Sequence, residues 1–190
     1  MTLSKEELLA IVRSYYPPSN ESLYMLETSP ETKRLHALWE QRTENMSSWK
    51  AFRIELGSAL PNFITGVTGS TGDGGLRCMV YPLKESRAPS SNWIVVGCVS
   101  ILAPADFVYG VECDYIDGRL QNHRASFEQP PPNMALPAQV VARKIETTFG
   151  FSAVPREIAE TPVPLFVGWR EPSEATLFHA LFTSDPSIIP

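Results

Sequence analysis

Between Asn92 and Asp117 the chain reads NWIVVGCVSILAPADFVYGVECDYID, and few folds can absorb such a stretch. Trp93 to Leu102 is apolar at nearly every position. A strand with one wet face alternates, so this run predicts a central strand covered on both faces. Leu102-Ala103-Pro104-Ala105-Asp106 reads as a turn. The run after it does alternate: Phe107, Tyr109, Val111, Cys113 and Tyr115 point one way, and Val108, Gly110, Glu112, Asp114 and Ile116 the other. One face of that second strand is core, and the opposite face turns polar toward its end.

The rest of the chain arranges itself around this pair. Ser4 with Glu7 three residues on is a capping box for a first helix carrying Leu8, Leu9, Ile11 and Val12, stopped by Pro17-Pro18. Leu23 to Leu26 read as a short extended segment. Ser29-Pro30-Glu31 opens a second helical stretch with Leu35, Leu38, Trp39, Met46, Trp49, Phe52 and Leu56 at helical steps. It is either one helix to about Leu60 or two, broken near Asn45 to Ser48. Asn62 to Ser70 and Gly75 to Leu83 predict two strands turned at Asp73-Gly74, and Asp117-Gly118 turns the chain into a fifth, Arg119 to Glu128. Gln129 to Pro137 reads as a proline-rich linker and Ala138 to Phe149 as a helix with Gly150 past its end. Phe151 to Trp169 reads as an extended segment, with an edge strand at Leu165-Phe166-Val167, and a final helix starts at Ser173. Short connections make the sheet an antiparallel meander of about five strands, packed with helices from both chain ends: an α+β fold.

Residues 1–190 fit one domain. With 43% apolar and 19% charged residues, the composition is that of a soluble globular chain. No apolar run reaches the roughly 20 residues of a membrane span, and no secretory leader opens the sequence. The net charge of −5 and the lack of any Lys/Arg cluster argue against nucleic acid as a partner. Cys78, Cys98 and Cys113 are odd in number, unpaired in spacing and placed in strands, which fits a reducing, cytoplasmic setting better than a disulfide framework.

Candidate chemistry is sparse. The loop Gly66 to Gly75 has no lysine and leads into a strand, so a hairpin tip is a better reading than a phosphate cradle. Cys98 with His123 or His179 as base is the one nucleophile–base combination on offer, but it sits inside an apolar strand that would keep a thiol inert. His36, His123 and His179 are scattered, no metal-spaced cluster exists, and no cofactor motif is present. Glu112 and Asp114, two apart on one strand face, could serve as an acid/base pair or, with Asp117, as an acidic patch for a protein partner. Tyr115 and the tryptophans Trp39, Trp49, Trp93 and Trp169 are the candidate aromatic anchors. Of these, Glu112, Asp114, Tyr115 and Asp117 make the best partner-binding set. A small hydrolase using Cys98 or Glu112/Asp114, or a small-ligand domain with a pocket between helices and sheet, are the alternatives.

The segments ELLAIVRSYYP, SPETKRLHALWE, WIVVGCVSILAP and TPVPLFVGWREPSEATLFHALF give the chain a texture that resembles bacterial immunity proteins of polymorphic toxin systems, in particular small multi-copy proteins of myxobacterial genomes. The resemblance implies a cytoplasmic, non-enzymatic protein that binds and blocks a cognate toxin. It assigns no functional residue.

Overall fold

A computed structural model describes residues 3–19, 28–44, 46–69, 73–82, 93–116, 119–168 and 170–189. Leu23 to Leu26, Asp117-Gly118 and Trp169 lie outside the described residues.

Five strands form the expected antiparallel meander in sequence order: β1 (Phe63–Gly69), β2 (Gly75–Pro82), β3 (Trp93–Ser100), β4 (Ala105–Ile116) and β5 (Arg119–Ser126). A sixth, β6 (Ser152–Ala153), adds parallel to β4 beside Ala105 and Asp106. Every residue of β3 is buried, which is why its sequence does not alternate.

The two faces of the sheet carry separate cores. On one face Val80, Trp93, Val95 and Val99 pack beneath α3 (Ser47–Ala59) and α4 (Pro132–Phe149). Trp49, Phe52 and Phe149 stack there with ring centres 5.0 to 5.9 Å apart. On the other face Ile94, Val96, Cys98, Phe107, Tyr109 and Val111 meet α1 (Lys5–Arg13), α2 (Pro30–Thr43), α5 (Arg156–Ala159) and α6 (Leu177–Leu181). Phe107, Phe127, Phe178 and Phe182 form an aromatic cluster in that layer.

Local chemistry explains most element ends. Ser4 and Glu7 close the capping box of α1. Ser29 caps α2, with Pro30 in the first turn. The second helical stretch is two helices because its apolar residues serve different layers. Leu35 and Trp39 go to the α1 side, and Trp49, Phe52 and Leu56 to the α4 side. One straight helix cannot reach both faces of a sheet.

Four expectations fail at prolines and caps. Gln129 to Pro137 is not all linker: α4 begins at Pro132 and Pro137 lies inside it, buried. Proline needs no N–H at the first helical position, and in the second turn it forfeits only one intrahelical bond. The segment after Phe151 is not wholly extended, since it holds β6 and α5. Leu165 and Val167 make only isolated bridges, to Pro18 and Arg170. The last helix starts at Leu177, after Thr176, and not at Ser173.

Candidate functional site

The polar end of β4 and its partner β5 form a two-stranded ribbon. Trp93, the first residue of β3, lies opposite Glu112. Beyond that row, β4 pairs only with β5 among the described strands: Asp114 with Gln121, Tyr115 with Leu120, Ile116 with Arg119. The register slips between Glu112 and Asp114, and Asn122 takes a φ of 52°. Such a bulge increases local twist and re-aims side chains.

The bulge brings Arg124 and Asn122 onto Asp114. Arg124 donates to both carboxylate oxygens, at 3.0 and 3.2 Å, and Asn122 Nδ2 donates to Oδ2 at 2.9 Å. The Arg124 and Asn122 hydrogen bonds pull the Asp114 carboxyl down to about 2. Arg124 also sits across the ladder from Glu112. The expected acidic patch is therefore a mixed-charge ribbon at its centre. A general acid needs a raised pKa, so the lowered carboxyl of Asp114 is not poised as the acid of such a pair. Tyr115 is half-buried opposite Leu120, and Ile116 is 41% exposed at the end of β4. Asp117 lies outside the described residues.

The other candidates go to the core or stay apart. Cys98 is fully buried, and burial raises its thiol well above the usual range. Among the described residues no hydrogen bond joins it to His123 or His179. Burial also pushes Cys78 up to about 12 and Cys113 up to about 11. His36 is exposed on α2 and His123 half-buried on β5. His179 Nδ1 accepts the Thr176 N–H at 3.1 Å at the start of α6, and desolvation lowers its pKa to about 4. Trp39, Trp49 and Trp93 are buried core residues, not exposed anchors. Among the described residues no group of three His, Cys, Asp or Glu could hold a metal ion. A shallow depression beside Leu3, Leu8, Pro104 and Val154 holds only about 10 Å³, far below the roughly 300–1,000 Å³ of small-molecule sites.

Sequence reasoning misses a dense cluster of buried polar bonds. Asp73, expected at a hairpin turn, is buried. Its carboxylate accepts from Thr183 Oγ1 at 3.0 Å, Ser184 N–H at 2.9 Å and Ser184 Oγ at 3.1 Å, while its carbonyl accepts the Trp39 indole N–H. Arg77 Nη2 lies 4.0 Å from Asp73 Oδ2, and Arg77 Nη1 donates to the carbonyls of Ile188 at 2.8 Å and Asp185 at 3.4 Å. Tyr109 donates to the Pro186 carbonyl at 3.0 Å. This knot fastens the C-terminal segment across the α1-side core. The only sequence signal is an Asp and an Arg four apart beside a hairpin, which looks solvated in a linear reading.

One further carboxylate is anomalous. Asp106 on β4 is 3% exposed, and its Oδ1 has no hydrogen-bond partner among the described residues. Burial, and then Glu146 of α4, raise its pKa to about 6. An acid whose folded pKa exceeds its unfolded one destabilises the fold when ionised. The cost grows as pH rises from about 4 to about 6 and persists above. Asp106→Asn is expected to stabilise the protein at pH 7 by about 1–2 kcal/mol and to flatten the pH 4–6 dependence. Urea unfolding across that range measures both. Equal stability of the two proteins at pH 7 would show that the carboxylate is solvated.

No protein-family model matches the sequence, and no curated protein or solved structure shows significant similarity to it. No helix among the described residues is long and apolar enough to cross a membrane.

Proposed function

We propose that this is a cytoplasmic immunity-type protein that binds a cognate toxin and neutralises it, using the β4–β5 ribbon. The observation that carries the reading is the ribbon itself. From the last row shared with β3 outward, it displays Glu112, Asp114, Tyr115 and exposed Ile116. Asp114 is held by Arg124 and Asn122, so its position is set before a partner arrives. Preorganised groups lose less freedom on binding. Tyr115 and Ile116 supply apolar contact area, and Glu112 with Asp117 supplies charge that steers a basic partner face. The three free, buried cysteines suit a reducing compartment.

The test begins with co-purification of the partner from the native cell. Binding kinetics of the triple variant Glu112→Lys, Asp114→Lys, Asp117→Lys are measured next. Reversal turns the ribbon cationic and also strands Arg124, so the association rate is expected to fall roughly 10- to 100-fold. The melting temperature should change little, because exposed pairs contribute little to stability. Unchanged association kinetics would reject the ribbon as the binding surface.

A further inference from the structure

We propose that residues 150–154 form a latch on β4 that a proton on Asp106 tightens and that ionisation of Asp106 loosens. The attachment is small. β6 is two residues long and pairs only with Ala105 and Asp106 among the described residues. Ser152 N–H reaches the Pro104 carbonyl at 3.3 Å, and Val154 N–H donates to the carbonyl of Asp106 itself at 2.9 Å. Val154 is the only buried side chain from 150 to 154. A depression of about 10 Å³ lies against Ser152, Ala153 and Val154, so even that anchor is imperfectly packed. At the other end Gly150 joins the segment to α4 with a φ of 68°, and nothing lies within 4 Å of where its Cβ would be. A short pairing with few buried contacts, hung from an open joint, belongs to the least stable part of a fold.

Asp106 supplies the control. Its side chain is buried, its Oδ1 has no hydrogen-bond partner among the described residues, and its surroundings do not compensate a negative charge. β3 sets Val99 opposite it and carries no charged residue, and neither do β6 and the turn from Ile101 to Pro104. α4 brings Glu146 in its last turn, where no basic residue stands and the helix dipole is negative. Arg143, one turn earlier, is exposed; Lys144 is bound to Glu55, and Arg156, beyond the latch, to Glu128 and Glu160. An ionised Asp106 therefore gains hydration when the segment beside it lifts, and a neutral one gains far less. With the latch closed the carboxyl titrates at about 6, against about 4 in water. The open form binds fewer protons between those values, so opening becomes easier as pH rises. The latch lies at the opposite end of β4 from the ribbon and does not depend on how the ribbon is used.

Amide hydrogen exchange of the full chain at about pH 5 and about pH 7.5, divided by the intrinsic rate at each pH, measures the opening. The Ser152 and Val154 amides are expected to open at least about tenfold more readily than those of β3, which open only with the whole fold. Their opening constant should rise roughly tenfold between the two pH values. Asp106→Asn stays neutral and should abolish the rise. Glu146→Lys, at an exposed position, sets an ammonium near the carboxyl and should flatten the rise; it carries the test if Asp106→Asn does not fold. Three results would each overturn the proposal: a wild-type opening constant that does not change with pH, a rise that survives in a folded variant, or Ser152 and Val154 amides as slow as those of β3.

Discussion

Asp73→Ala is expected to cost about 3–5 kcal/mol, the usual penalty for removing one partner of a buried charged pair. Asp73 and Arg77 have side chains only 6% and 7% exposed. Removing the carboxylate leaves the Arg77 guanidinium buried with carbonyl partners and, among the described residues, no ion-pair partner. It also strips one of two acceptors from Thr183 Oγ1, and the Asp73 acceptor from both the N–H and the hydroxyl of Ser184. Among the described residues Arg77 Nε already has no partner, while Thr183 Oγ1 keeps the Asp185 carbonyl at 3.3 Å. Urea unfolding reads the loss, and limited proteolysis should show earlier cleavage beyond Thr183. Ser184→Ala removes a single hydroxyl from the same carboxylate and should cost only about 1 kcal/mol. An Asp73→Ala loss under about 1 kcal/mol would mean that water reaches the guanidinium and the knot is not a dry one.

Gly74→Ala is expected to cost about 3 kcal/mol or more, at the top of the range for overpacking. A Cβ there would stand 2.2 Å from the Ala180 carbonyl oxygen and 2.9 Å from the Leu181 carbonyl group. These are backbone atoms of α6, so relief requires the helix to move off the sheet. Gly74 has no positive φ, so the penalty is one of contact, not of conformation. Gly66→Ala, where the added carbon has room, should be neutral or stabilise by up to about 1 kcal/mol through the unfolded chain. Thermal unfolding of the two variants separates contact from conformation. Equal effects would show that α6 yields easily.

These two neighbours show where a linear reading stops. Asp73-Gly74 carries the composition of an exposed hairpin turn, and a hairpin does form between β1 and β2. The residues serve another purpose as well: the carboxylate anchors residues 183 and 184, more than a hundred positions away, and the glycine admits α6. Nothing local distinguishes a turn glycine from one that a distant helix must approach. At Asp114 the same limit appears in the opposite sense. The carboxylates of β4 were legible as a polar face, but the bulge at Asn122 that delivers Arg124 to Asp114 was not. A single inserted residue changes the facing of every later side chain in the strand without altering composition.

The two-strand centre from Trp93 to Ile116 was determined by sequence alone. A run apolar at nearly every position can be satisfied only between two layers, and an alternating run only with one face on a core. Ser4, Ser29 and Gly150 likewise ended helices by local bonding and backbone geometry. Tertiary structure decided the rest. It sent α2 and α3 to opposite faces, buried the Asp73–Arg77 knot beneath the C-terminal segment, and paired Asp114 with Arg124. Periodicity encodes which side chains leave water. It does not encode which distant partner meets a buried charge, because that depends on how the layers close.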